Sequence, residues 1–153
     1  MKKLKVSQAV GILVLTLQIA GIVAFALSFH TMLGVYISAI PSEKDVEVST
    51  SDPVIITLKI KPDNPGYFGA KISVNLCLKS GEKILISNSS SLTVNPKSTG
   101  ETEIPLVINV NDAEEYWNNR SDIDCVADIR VTTLFDLVVF RNKITVSGEI
   151  IDA

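Results

Sequence analysis

The sequence predicts an all-β domain, an antiparallel sandwich, preceded by one N-terminal transmembrane α-helix. Three observations carry that prediction. One end of the 153-residue chain is a long uncharged apolar run. The rest shows apolar residues at every second position in five short segments, and turn-forming residues separate those segments with no long helical pattern between them.

The apolar run comes first. No Asp, Glu, Lys or Arg occurs from Val6 to Ser42, and Val10 to Phe29 is almost wholly apolar. A helix rises ~1.5 Å per residue and the hydrocarbon core is ~30 Å thick, so roughly 20 such residues cross it. A cleaved secretory leader has a shorter apolar region, of about 7–15 residues, followed by a small-x-small site. Ala24-Phe25-Ala26 offers such a site, but the uncharged stretch continues through Leu33, Tyr36 and Ile40, so retention as an anchor is expected. Lys2, Lys3 and Lys5 precede the run, whereas Glu43, Asp45 and Glu47 follow it. The positive-inside rule then places the N-terminus in the cytoplasm and the remainder outside, at the cell membrane. The expected organisation is a basic tail over 1–5, a transmembrane helix with its extension over 6–40, and an extracytoplasmic domain over 41–153.

Without the three lysines, 11 basic residues face 17 acidic ones, a balance of −6 for the rest of the chain. Such a domain has no electrostatic case for nucleic acid or for anionic lipid headgroups. The bilayer itself is the expected partner of the helix.

Beyond the polar break Pro41-Ser42-Glu43, the period changes to two. Val54, Ile56, Leu58 and Ile60 form one stripe. Ile72, Val74, Leu76 and Leu78 form the next, with Lys71, Ser73, Asn75 and Lys79 opposite. Leu106, Ile108 and Val110 follow, then Ile123, Cys125, Ala127, Ile129 and Val131, then Ile144, Val146 and Ile150. Turns are expected at Asp63-Asn-Pro-Gly66, at Ser80-Gly81, from Asn95-Pro96 to Thr99-Gly100, and at Arg141-Asn142. Ser87-Asn-Ser-Ser-Ser91 reads as a loop. One short helix is predicted from Ala113 to Asn119, with Asp112 as cap, Glu115 completing a capping box, and Tyr116 or Trp117 closing one end of the sandwich.

The pattern Ile56-x-Leu58-x-Ile60-x-Pro62-x-Asn64-Pro65 followed by an alternating strand resembles the late-embryogenesis-abundant type 2 domain, also called the water-stress and hypersensitive-response domain. Ser91 to Thr99 running into Ile104-Pro-Leu-Val-Ile108, a short helix and two last strands match the order of that family over roughly residues 46–151. The resemblance implies an immunoglobulin-like or fibronectin-like sandwich behind one membrane helix, with a binding, structural or protective role and no catalytic residues to carry across. A second, weaker resemblance is to an archaeal pilin: a basic leader, a long apolar helix beginning Ser7-Gln-Ala-Val-Gly11, and a β head. It implies a helix that packs in a filament core.

Catalytic chemistry finds little support. His30 is the sole histidine and lies at the far end of the membrane helix, so Ser-His and Cys-His constellations are unavailable to the outer domain. No enzyme activity, cofactor or metal is expected. Asp122, Asp124 and Asp128 share one face of a strand, but no glycine-punctuated loop accompanies them, so they read as a solvated face. Cys77 falls among polar neighbours and Cys125 on an apolar stripe. Two free thiols, Cys125 buried and Cys77 exposed, are therefore expected rather than a disulfide. Asn88-Ser89-Ser90 and Asn119-Arg120-Ser121 fit the glycan-acceptor pattern in predicted turns, making Asn88 and Asn119 candidate modification sites. Within the helix, Thr16, Ala20, Ala24 and Ser28 recur every four residues as a stripe of small side chains, with Gln18 near mid-membrane. This packing stripe suits self-association into a homo-oligomer, or docking of the helix in a larger membrane complex.

Overall fold

A computed structural model describes residues 6–147, excepting the side chains of Val6, Ser7, Glu43, Trp117 and Arg120. Helix α1 runs Val6–Ser38 and is long and apolar enough to cross a membrane. It ends because Pro41 disfavours a helical Ile40, and the last turn closes with the Ala39 N–H on the Val35 carbonyl at 3.1 Å. After a 3-10 turn at Glu43–Asp45 the chain is almost entirely strand. In order these are β1 Val46–Ser49, β2 Val54–Ile60, β3 Asp63–Asn64, β4 Ala70–Ser80, β5 Lys83–Val94, β6 Ser98–Thr99 and β7 Thr102–Ile108. Helix α2 follows at Val110–Asn118, then β8 Ile123–Thr133 and β9 Val138–Ser147.

The strands form three antiparallel sheets: β1-β2-β7, the small pair β3-β6, and β5-β4-β8-β9. The expected alternation sets the facing residues. Leu58 pairs with Ile104 in the first sheet, and Ile72 with Val131 in the last. Ile60, Ile104, Ile72, Ile129 and Val131, all at most 2% exposed, belong to one cluster drawn from both large sheets. Met32, Val35 and Ala39 of α1 belong to the same cluster. The mostly-β expectation behind one apolar helix therefore stands.

Several local expectations do not. Ser87-Asn-Ser-Ser-Ser91 lies within β5: its serines pair with β4 (Ser89 opposite Asn75, Ser91 opposite Ser73) because strand pairing outweighs a polar composition. Arg141-Asn142 sits in mid-β9, and the chain instead reverses at Leu134–Leu137, where the Leu137 N–H meets the Leu134 carbonyl at 3.1 Å. That turn holds Leu134, Phe135 and Asp136 at φ of 52°, 56° and 66° with no glycine to announce it. Helix α2 begins three residues early. Asn109 occupies the cap, Asp112 stands in the first turn, and Val110 is helical rather than strand. Cys77 is buried and Cys125 half-buried, both free. Cys77 does face away from the core stripe, but it is short and flanked by β5 and β8 on a central strand, beside buried Val126. Asp122 lies in a 3-10 turn, not on the strand. Ile150 lies outside the described residues.

Candidate functional site

The helix and the domain meet through close backbone approach. A Cβ at Gly34 would stand 2.4 Å from the Pro65 ring, and one at Gly66 would stand 1.8 Å from Thr31 Oγ1 and 2.7 Å from Thr31 Cα. Asn64, fully buried, shapes the turn that makes this contact. Its amide donates to the carbonyls of Phe68 (2.9 Å) and Val94 (3.1 Å), and its Oδ1 accepts the Gly66 N–H (3.0 Å). The Asn-Pro dipeptide thus serves to seat α1. Ser38 adds a polar clasp, its hydroxyl oxygen accepting the Asp63 N–H at 2.7 Å. Along β9, Tyr36 packs edge-on against Phe140 with ring centroids 4.8 Å apart, and its hydroxyl accepts the Asn142 amide.

Helix α1 ends partway up the domain, and beyond its end the two large sheets leave space between them. Buried Ala39 closes one end of a cavity of about 390 Å³, with exposed Pro41 at its edge. Ile56, Leu58 and Leu106 wall one side, and Leu76, Ile129 and Ile144 the other. Ile40, Val46 and Val146, exposed at 48%, 43% and 44%, stand at the rim. The mouth lies toward the C-terminal end of β9, opposite the Leu134–Leu137 turn. Cys125 carries the single heteroatom among the lining side chains. Burial pushes its thiol above the ordinary value of 9.0, with proximity to Cys77 a lesser cause. Within the β8 stripe Cys125 and Ala127 are the small members between Ile123 and Ile129, so the shortage of volume was visible in the sequence. That it falls just past a helix end was not.

The cavity's size falls within the range of small-molecule sites, ~300–1,000 Å³. Water inside it would find almost no hydrogen-bonding partner, and apolar cavities stay dry and take apolar guests. The site is chemically suited to hold hydrocarbon by burial alone.

The residues singled out from the sequence fall elsewhere. Ser28 is fully buried against the domain, its hydroxyl donating to the Ala24 carbonyl at 2.7 Å. Thr16, Ala20 and Ala24 line a shallow groove together with Phe68, so the upper part of the stripe faces the chain's own domain. Gln18 is exposed and sits two residues from both Thr16 and Ala20, ~200° around the axis, off that stripe. His30 is exposed on α1. Asn88 lies in β5, not in a turn, and donates to the Pro105 carbonyl at 2.7 Å. Asn119 caps the C-terminus of α2 and donates to the Glu115 carbonyl at 3.0 Å. Asp128 is bound by Arg141 across β8 and β9, with Nε to Oδ1 at 2.9 Å.

No family model matches the chain, and no curated protein matches it. Among solved structures, a protein from Archaeoglobus fulgidus is 16% identical over 67% of this chain and 90% of its own, with a TM-score of 0.41. A protein from Arabidopsis thaliana is 18% identical over 67% of this chain and 77% of its own, at 0.38. A beta-glucuronidase from Bacteroides uniformis is 6% identical over 67% of this chain, which spans 12% of that enzyme, at 0.46.

Proposed function

We propose that the chain is a single-pass membrane-anchored protein whose extracytoplasmic immunoglobulin-like sandwich has a non-enzymatic binding role, and that the inter-sheet cavity takes an apolar chain. The carrying observation is the cavity itself, lined by hydrocarbon apart from Cys125. Each methylene buried there contributes ~0.8 kcal/mol, and the absence of converging polar groups fits a ligand selected by shape and apolarity. The single histidine lies on exposed α1 rather than in the β domain, which agrees with a role without catalysis. Three lysines before the helix support a cytoplasmic N-terminus. The family resemblance to type 2 late-embryogenesis-abundant domains is in keeping with binding or protection behind a membrane helix.

The test is titration of the full chain, in detergent micelles and then in nanodiscs, with a fluorescent fatty acid. Saturable 1:1 binding is expected, and Ala127→Phe, which fills the cavity, should weaken it by about tenfold or more, the ~1.4 kcal/mol of roughly two lost methylene contacts. Equal binding by wild type and a folded Ala127→Phe protein rejects the cavity as the site.

A second reading has its own observation. Leu13, Leu17 and Ile22 of α1 are 59%, 63% and 69% exposed, while the last third of the helix is packed. A filament subunit, or an accessory subunit of a membrane complex, needs such a bare helix to bury against others. Mass spectrometry of the N-terminus separates the cases: an intact Met1 rules out the leader processing that a pilin requires.

A further inference from the structure

Resting on the reading of α1 as a membrane span, we infer that the base of the β domain is itself a membrane-interface surface, with Phe135 and Leu137 inserted at headgroup depth beside the helix. Phe135 is 95% and Leu137 78% exposed, on the turn where Leu134, Phe135 and Asp136 hold positive φ. Tyr67, 62% exposed, lies at the same end of the fold. The Thr133 hydroxyl donates to the Gly69 carbonyl at 2.9 Å, tying the start of that turn to the segment that carries Tyr67 and Phe68. Phe68 and the Leu134–Asp136 stretch line one shallow depression.

The same Phe68 lines the groove along α1 with Ala24 and Leu27. The apolar surface of the turn is therefore continuous with the lipid-facing surface of the helix. Helix length sets the depth. Its 33 residues rise ~50 Å against a hydrocarbon core of ~30 Å, so ~20 Å must lie outside that core. Among the described residues Ser28 is the first fully buried one, and no spacer separates the span from the domain. The base must then rest at the bilayer surface. Tyr favours that zone, and Phe and Leu are side chains that bury at its boundary with the acyl chains. Lys97, 4.4 Å above the Tyr67 ring, and exposed Asp136 limit the depth to the headgroups, since a carboxylate is costly deeper. The contact is apolar and needs no anionic lipid.

The experiment uses the full chain with Trp117→Phe as background, reconstituted in phosphatidylcholine vesicles with and without brominated acyl chains. Single tryptophans are placed by Phe135→Trp, by Ile84→Trp at the opposite end of the sheet, and by Phe25→Trp on the helix. Phe135→Trp should be quenched about twofold or more beyond Ile84→Trp, and its emission should shift to the blue on reconstitution, as an interfacial ring requires. Quenching of Phe25→Trp but not of Phe135→Trp overturns this inference and leaves the anchor standing. Quenching of neither overturns both. A blue shift of Phe135→Trp that rises with protein concentration and shows no bromine quenching assigns the surface to a second copy, and also overturns it.

Discussion

At the scale of single residues, the buried Asn64 and the two glycines explain why the helix and domain form one body. Asn64→Ala leaves the carbonyls of Phe68 and Val94 and the N–H of Gly66 without the partners they have now. A loss of about 1–3 kcal/mol is expected in chemical denaturation. Gly66→Ala should cost a similar ~1–3 kcal/mol from overpacking. Because the added methyl meets Thr31 Cα as well as its hydroxyl, trimming Thr31 to alanine should not rescue it. Cys125 gives a third measurement. Burial penalises its thiolate and raises its pKa from the ordinary 9.0, so alkylation at pH 8 should be slower than for a free cysteine and should accelerate at a higher pH than a free cysteine's does. Occupancy of the cavity should slow it further.

At the scale of elements, α1 is two things in one helix. Its first two-thirds are mostly apolar and exposed, and its last third replaces sheet as the cover over part of β8 and β9. Met32, 3% exposed, belongs to the shared core. Met32→Ala should destabilise the β domain by about 2–5 kcal/mol, whereas Leu17→Ala should leave its unfolding unchanged. Equal effects of the two would deny the helix any part in the core. It follows that activity or binding assays require the full chain, since residues 43–153 alone lack Met32, Val35 and Ala39. Between β8 and β9, hydrogen bonding from Arg141 holds the Asp128 carboxyl below its ordinary 3.8. A lowered carboxylate contributes stability above its unfolded pKa and loses it as pH falls through the folded one. Acid titration should therefore show a loss of stability below about pH 4 that is absent in Asp128→Asn.

At the scale of the whole molecule, the anchor, cavity and base are arranged along one direction. The helix emerges at the end carrying Tyr67 and Phe135, and the cavity mouth lies toward the other end of β9. On the anchoring proposed above, a ligand held there would sit away from the bilayer surface on which helix and base would fix the domain. Much of this arrangement was legible beforehand. The uncharged run marked the helix, and period-two stripes at Val54–Ile60, Ile72–Leu78 and Ile123–Val131 marked real strands and their buried faces. Alternation is a local signal written by the core itself. Where the local signal was polar or lacked glycine, it failed: β5 was hidden by its serines, and the β8–β9 turn by a Leu-Phe-Asp-Leu without glycine or proline.

What the sequence by itself determined is therefore the apolar helix, the β character and the inward-facing stripes, because each follows from composition or periodicity within a short stretch. Only the tertiary structure decided that the uncharged run is divided between an exposed apolar stretch and the core, that Asn64-Pro65-Gly66 is the seat of the helix, and that a cavity opens where the helix stops. Those features depend on which surfaces meet across 30 or more positions of chain, as Gly34 meets Pro65, and no local pattern records such a meeting.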